Sequence, residues 1–358
     1  MMTDWTRRRV LITGATGFIG QRLTGRLVTA GAEVWAGVYP AEPPERVAGL
    51  PAQAHRLSVD LRDARTVQTA VAESAPEVAF HLAAVGATDP GVDADLALAV
   101  NAGGTLHLLE ALRGQNVRVG QAFQPVVGQA FQPVAVGQAF QPVAVGQAFQ
   151  PVAVGQAFQP VAVGQAFQPV ARVVLAGTCH EYGARETVEG LDPFSAYAAS
   201  KVAAWAFGRM YWRVYGLPVV TVRPFQIYGP GQPAHTLVPA ALRAALTGED
   251  FPMTPGGQER DFIYVDDVVE GMLAAAAAPG VEGHSLDLGT GQAHTVRHVV
   301  EQVWKLAGGT GRILPGALPY RPAEVMRLVA DADRTAALIG WRARTGLEEG
   351  LCRTIDQF

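Results

Sequence analysis

The chain has 358 residues, 49% of them hydrophobic, and a net charge of −4, which is enough for one large domain or two ordinary ones. This mildly acidic balance excludes a general nucleic-acid binder, whose surface would be basic. Two cysteines, Cys179 and Cys352, exclude a disulfide framework and fit a reducing cytoplasm.

The start, Thr6-Arg7-Arg8-Arg9, has the charge of a secretion signal. The apolar run Val10-Leu11-Ile12 is broken at once by Thr13-Gly14, so no secretory segment is expected there. The alanine run at 274–278 is too short to span a bilayer. The expectation is a cytoplasmic protein with neither a membrane nor a nucleic acid as partner.

Residues 10–13 form a short, apolar, β-branched run and read as a buried strand. Gly14-Ala15-Thr16-Gly17-Phe18-Ile19-Gly20 follows, and then Leu23, Leu27 and Val28 recur at helical spacing up to Gly31. Strand, glycine turn and helix in this order suit a dinucleotide. Gly14 permits the tight turn, Gly17 lets the backbone approach a pyrophosphate, and Gly20 lets helix and strand pack closely. The helix N-terminus then faces the anion. The spacing is G-x-x-G-x-x-G rather than the general G-x-G-x-x-G.

Residues 33–39 read as a second strand. Its end usually chooses the cofactor, an acid for NAD or an arginine for NADP. Here Val38-Tyr39-Pro40-Ala41-Glu42 gives neither signal, although Glu42 and Arg46 are close in sequence. Asp60-Leu61-Arg62-Asp63 closes a third strand. Asp60 has two readings, an acceptor for an adenine amino group and a helix N-cap. Residues 78–84 read as a fourth buried strand, and Asn101 falls in a helix carrying Leu98, Leu106, Leu108, Leu109 and Leu112.

At residue 119 the composition changes. Residues 119–171 carry no charge, and the unit Val-Gly-Gln-Ala-Phe-Gln-Pro-Val-Ala recurs six times, the first copy one residue short. A proline in every copy forbids a long helix and a continuous strand ladder. The near-identical copies suggest a duplicated, low-complexity and largely irregular insertion. A stacked β-array and an interaction arm are the alternatives. Its phenylalanines (Phe123, Phe131, Phe140, Phe149, Phe158 and Phe167) are regular in sequence but form no helical face. The insertion joins a helix ending near Arg118 to a strand at 172–176. Such a helix-to-strand connection lies at the sheet edge opposite the ligand edge.

Past that strand, Gly177-Thr178-Cys179-His180-Glu181-Tyr182-Gly183 lies at the ligand edge. Next comes Ser195-Ala196-Tyr197-Ala198-Ala199-Ser200-Lys201. Tyr197 and Lys201 lie one helical turn apart on one face. An ammonium beside the phenol favours the phenolate and would draw Tyr197 toward neutrality. Residues 218–224 form another strand, followed by Phe225-Gln226-Ile227-Tyr228-Gly229-Pro230-Gly231. Helices at 237–246, 268–278 and 296–307 complete the chain, with Arg260-Asp261-Phe262, Arg321 and Glu324 as polar anchors. Cys179 and His180 lack further ligands at metal spacing, and Asp266-Asp267 suits a helix N-cap and first turn better than a metal, so no metal is expected.

These stretches, in this order, resemble the extended short-chain dehydrogenase/reductase family, in its branch of NAD-dependent nucleotide-sugar epimerases, dehydratases and reductases. The likeness rests on residues 13–20, Asp60-Leu61, 81–84, Thr178 with Tyr182-Gly183, Tyr197 with Lys201, 223–231, 260–267 and 318–324. It implies an α/β fold, a Rossmann-type doubly wound parallel sheet with a smaller C-terminal α/β substrate-binding region and the low-complexity repeat insertion. Residues 1–118 and 172–230 would bind NAD(P), residues 119–171 would be the insertion, and residues 231–358 would bind substrate, with segments returning to the sheet.

The resemblance implies these roles. Gly14, Gly17, Phe18, Ile19 and Gly20 cradle the pyrophosphate, and Asp60 and Leu61 flank the adenine. Leu82, Ala83, Ala84, Asn101, Pro224 and Ile227 line the cofactor. Lys201 also bonds the nicotinamide ribose. Tyr197 and Thr178 handle the substrate hydroxyl, Gln226 contacts substrate, and Arg260 and Arg321 hold the nucleotide diphosphate. The cofactor is NAD, with NADP open, and a homodimer is implied. Cys179 and His180 stand where 4,6-dehydratases carry Asp and Glu, which argues against dehydration. The expected reaction is epimerisation or 4-keto reduction of a nucleotide sugar. The rival reading is a catalytically silent cofactor-binding scaffold that uses its repeat for interaction.

Overall fold

The computed structural model describes residues 4–89, 91–122, 169–183, 190–321 and 324–358. Strands β1 Arg9–Thr13, β2 Glu33–Val38, β3 His55–Ser58, β4 Val78–His81, β5 Arg172–Ala176 and β6 Val219–Pro224 build the main sheet. Short strands β7 Gln226–Tyr228, β8 Phe251–Met253, β9 Glu259–Arg260 and β10 Phe262–Tyr264 precede β11 Ser285–Leu288. β11 returns to the main sheet as its seventh strand, giving the order β3-β2-β1-β4-β5-β6-β11 with every pair parallel. β12 His294–Thr295, β13 Ile313–Pro315 and β14 Arg327–Leu328 complete smaller pairings.

Helices α1 Phe18–Thr29, α2 Pro44–Ala48, α3 Ala64–Ser74, α4 Ala94–Ala97 and α5 Gly104–Ala122 belong to the first half. The second half holds α6 Ala196–Tyr215, α7 Leu237–Thr247, α8 Val265–Ala277, α9 Val296–Ala307, α10 Ala332–Ile339 and α11 Leu347–Ile355. Because successive strand side chains point to opposite faces, Val10 and Ile12 join one core and Leu11 the other. The first core packs α1 and α8 on one face of the sheet, through Leu23, Leu27, Val268 and Met272. The second packs α3, α5 and α6 on the other face, through Val67, Val71, Leu109, Leu112 and Tyr211. Both faces are covered, which is why the strands read as apolar runs rather than as alternations.

A third core gathers α7, α9 and α11 around β7 and β10, with Leu242, Val299, Trp304, Leu351 and Tyr264 buried. It stands beside the C-terminal edge of the sheet. The order of strands reverses between β1 and β4, so this edge carries the crevice where ligands bind in such sheets.

Most boundaries shift by one to three residues, and three differences bear on the crevice or the insertion. The fourth strand ends at His81, and Leu82, whose N–H donates to the Thr13 carbonyl at 3.1 Å, leads Ala83 and Ala84 past the sheet edge. Asn101 lies in a π-helical turn, Leu98–Gly103, between α4 and α5. α5 runs past Arg118 to Ala122, into the first repeat. At the far end of the insertion, Val170 is buried in the second core and its N–H donates to Asn116 Oδ1 at 2.9 Å. Ala171 N–H donates to the Glu77 carbonyl at 2.7 Å. Both attachment points therefore lie at the N-terminal edge of the sheet, away from the crevice. The readings of the repeat itself fall on residues 123–168, outside the described residues.

Candidate active site

The turn between β1 and α1 opens the crevice. Gly14 has φ +71°, and a Cβ there would lie 2.6 Å from the Ala83 nitrogen. A Cβ on Gly20 would lie 2.1 Å from the Gly14 carbonyl, so helix and turn touch only because Gly20 has no side chain. Gly17 is the N-cap of α1 and supplies no side-chain cap, and the first turn holds no acid. The first backbone N–H groups of α1, Phe18 to Gly20, therefore face a cleft of about 980 Å³ without a carboxylate to neutralise them. That is a seat for a pyrophosphate.

Gly14, Gly17, Phe18, Ile19, Gly20, Leu82, Ala84, Thr178, Tyr197, Lys201, Pro224, Gln226 and Ile227 all line this cleft. Ala83, Asp60, Leu61 and Asn101 are not among its lining residues. Ala83 backs the Gly14 turn instead, and Leu61 is buried against Gly104. The N-cap reading of Asp60 does not hold, and its carboxylate is bonded to Arg62. Its carboxylate accepts from Arg62 Nε at 3.0 Å and from the outer Arg62 nitrogen at 2.7 Å, while Asp63 caps α3. The same Arg62 donates to the Tyr39 hydroxyl at 2.9 Å and lies over its ring.

Asn101 acts one layer further back. Its Oδ1 accepts from Val85 N–H at 2.9 Å, and its Nδ2 donates to the Val85 carbonyl at 3.0 Å and to Ser200 Oγ at 2.9 Å. It thus ties the segment after β4 to the helix of Tyr197. Below it, His81 spans Thr13 Oγ1 at 2.7 Å and Thr105 Oγ1 at 2.9 Å. Burial lowers its pKa to about 3, so it is a neutral strut.

Tyr197 and Lys201 sit in the first turns of α6, whose N-cap Ser195 accepts from Ala198 N–H at 3.1 Å. Both are buried. Burial raises the Tyr197 phenol above its usual value, and its hydrogen bond with the Thr178 side chain works in the opposite direction. The expected shift of Tyr197 toward neutrality does not appear: desolvation dominates, and the opposing effect comes from Thr178. Burial also lowers Lys201 to about 8, with the Glu181 carboxylate opposing.

Thr178 is held from behind by residues that the sequence reading passed over. It caps the 3-10 turn Cys179–Glu181, where its N–H donates to Glu181 Oε1 at 2.9 Å. Glu181 Oε2 accepts from Arg223 Nε at 2.7 Å, and both side chains are fully buried. Arg223 also lies over the rings of Tyr182 and Trp205. Tyr182 in turn donates to Asp287 Oδ1 at 2.7 Å. The signal was available: Thr178 followed three residues later by Glu181 is a capping box. Gly177 makes room for it, since a Cβ there would lie 2.6 Å from Glu181 Oε1.

A second cavity of about 700 Å³ opens beyond Tyr197, against the third core. Arg260 and Arg321 line it, and so does Glu324, which accepts from Arg260 at 2.6 Å. Asp261, next to Arg260, is buried and accepts from Thr290 N–H, Gly291 N–H and Ala330 N–H, which fixes the strand that carries Arg260. The Cys179 thiol is pushed up to about 12 by burial, and His180 down to about 4 by burial and by Arg260 and Arg321. Asp266 pairs with Arg22, and Asp267 accepts from Thr345 N–H at 2.8 Å. No group of metal-ligating side chains occurs among the described residues.

The sequence profile of the NAD dependent epimerase/dehydratase family matches residues 10–125 and 161–289. The chain belongs to the NAD-dependent epimerase/dehydratase family. Within it, the chain is 27% identical to a UDP-glucose 4-epimerase of Mycolicibacterium smegmatis, across 98% of each chain. It is 26% identical to a probable dTDP-glucose 4,6-dehydratase of Sinorhizobium fredii, across 98% of this chain and 92% of that one. The crystal structure of a Thermus thermophilus UDP-glucose 4-epimerase in complex with NAD superposes with a TM-score of 0.72 at 29% identity, covering 98% of each chain. The family's cofactor is NAD, and the uncapped α1 terminus and bare glycine turn fit its pyrophosphate. Among the described residues, no helix is long and apolar enough to cross a membrane.

Proposed function

We propose that this family member is a nucleotide-sugar 4-epimerase in which Tyr197 is the acid-base group. The observation that carries this is convergence: Thr178, Tyr197 and Lys201 line the cofactor cleft, and Tyr197 also lines the second cavity. Bound NAD supplies reversible hydride acceptance at its nicotinamide ring. The chain's own residues handle the proton. Tyr197 takes it from the sugar hydroxyl as the carbon is oxidised, and Thr178 holds the oxygen from the other side. Lys201, charged below about pH 8, favours the phenolate form in which Tyr197 accepts that proton. Arg260 and Arg321 hold the diphosphate, and Gln226 reaches the sugar from the cleft wall. The carbon is inverted with no net oxidation when its hydrogen is restored on the opposite face of the turned-over 4-keto sugar and Tyr197 returns the proton to the oxygen.

The relatives include dehydratases, but two groups support epimerisation over elimination. A thiol at about 12 and an imidazole at about 4 replace the acid pair that loss of water needs. The test is incubation of the purified protein with UDP-glucose and NAD, with UDP-galactose as the product sought. Tyr197→Phe should lower turnover about 100-fold or more, the usual size of an acid-base contribution, while leaving NAD binding in place. Turnover that survives this substitution would refute the assignment.

A further inference from the structure

The two cavities meet at a short neck. Six residues line both of them: Ala87, Thr88, His180, Tyr197, Gln226 and Thr236. Given the proposed chemistry, the reacting sugar has to sit there, because Tyr197 must reach its hydroxyl while the nucleotide extends toward Arg260. None of the six carries a fixed charge. His180 is the one titratable cation among them, and it packs its ring against Phe194 at 5.4 Å between centroids. Lys201 lines only the cofactor cleft, and Arg260 and Arg321 line only the second cavity.

We propose that the neck selects a neutral sugar over a uronic acid, with His180 as the specificity-determining residue. This rests on the nucleotide-sugar reading above. The charge balance supports it. Two guanidinium groups and one carboxylate line the second cavity, a surplus of one positive charge. A diphosphate already uses that surplus. Arg260 holds that carboxylate, Glu324, at 2.6 Å and also donates to the Glu259 carbonyl at 2.8 Å. A sugar carboxylate in the neck would be a half-buried anion with no cation of its own, and such a charge is costly. His180 offers it none, since burial, and after it the same two arginines, lowers the imidazole to about 4 and keeps it neutral at physiological pH. The apolar edge of the His180–Phe194 pair suits the carbon face of an uncharged ring.

The test separates binding from turnover. Tyr197→Phe protein loaded with NAD is titrated calorimetrically with UDP-glucose and with UDP-glucuronate, which differ only in a hydroxymethyl against a carboxylate. UDP-glucose should bind at least tenfold tighter. His180→Gln, which keeps a neutral polar side chain, should retain the preference, and His180→Arg should reduce or reverse it. Equal or tighter binding of the glucuronate overturns the proposal, and an unchanged preference in His180→Arg overturns the role of His180. Binding of neither sugar nucleotide, with NAD still bound, overturns the nucleotide-sugar reading and this inference with it.

Discussion

At the scale of single residues, the site depends on two buried charges that never meet solvent. Glu181 and Arg223 are both inaccessible, yet Glu181 holds the backbone of Thr178 and its charge is felt by Tyr197 and Lys201. Removing Arg223 alone strands a buried carboxylate, so Arg223→Met should cost about 3–5 kcal/mol in stability. Glu181→Gln combined with Arg223→Met removes both charges and should recover much of that loss in urea unfolding. A double variant no more stable than the single one would show that the pair is not the relevant unit. Lys201 gives a second test. Its pKa is lowered to about 8, so the ammonium persists below that pH and is lost as pH rises through it. Competitive acetylation of the cofactor-free protein should show Lys201 titrating near pH 8, with Lys305, the only other lysine in the sequence, read in the same digest. Titration of Lys201 near the free-peptide value of about 10.4 would mean that burial does not set its charge.

At the scale of elements, the glycine turn and α1 form the part of the site most plainly written in the sequence. Gly14, Gly17 and Gly20 fall where backbone must approach backbone or ligand, and the α1 terminus is left uncapped. The insertion is the opposite case, a stretch with a conspicuous pattern and no connection to the crevice at either attachment point. It joins α5 to β5 at the far edge of the sheet, and its last residues, Val170 and Ala171, are already bonded into the fold. Replacing residues 123–168 with a short Gly/Ser linker should therefore leave a folded protein that binds NAD with unchanged affinity. A soluble deletion protein that no longer binds NAD would tie the repeat to the site. The linker must keep Ala122 and Val170, because Val170 fills the core under α5.

At the scale of the whole molecule, the second cavity is built by two separate bodies of packing. The sheet edge supplies Tyr197 and Gln226, and Arg260 and Arg321 reach the cavity from segments far apart in the chain. Asp261 links them by bonding the strand of Arg260 to the turn after β11. The cofactor cleft, by contrast, is assembled mainly from the C-terminal ends of adjacent strands, so its outline follows from strand order alone.

The sequence by itself determined the strand-turn-helix unit, the doubly wound sheet, the family, and the placement of Tyr197 and Lys201 one turn apart on the helix that borders the cleft. These are local patterns: glycines at turn spacing, apolar runs, and two polar residues one helical turn apart. Only the tertiary structure decided what lies behind them. Asp60 is claimed by Arg62, Asn101 braces Val85 and Ser200, and Arg223 meets Glu181, because long-range packing chooses among polar partners that the sequence leaves equivalent. The same holds for protonation. One helical turn between Tyr197 and Lys201 suggested a phenol drawn toward neutrality. Burial, which depends on everything packed around the pair, raises the phenol and lowers the amine instead.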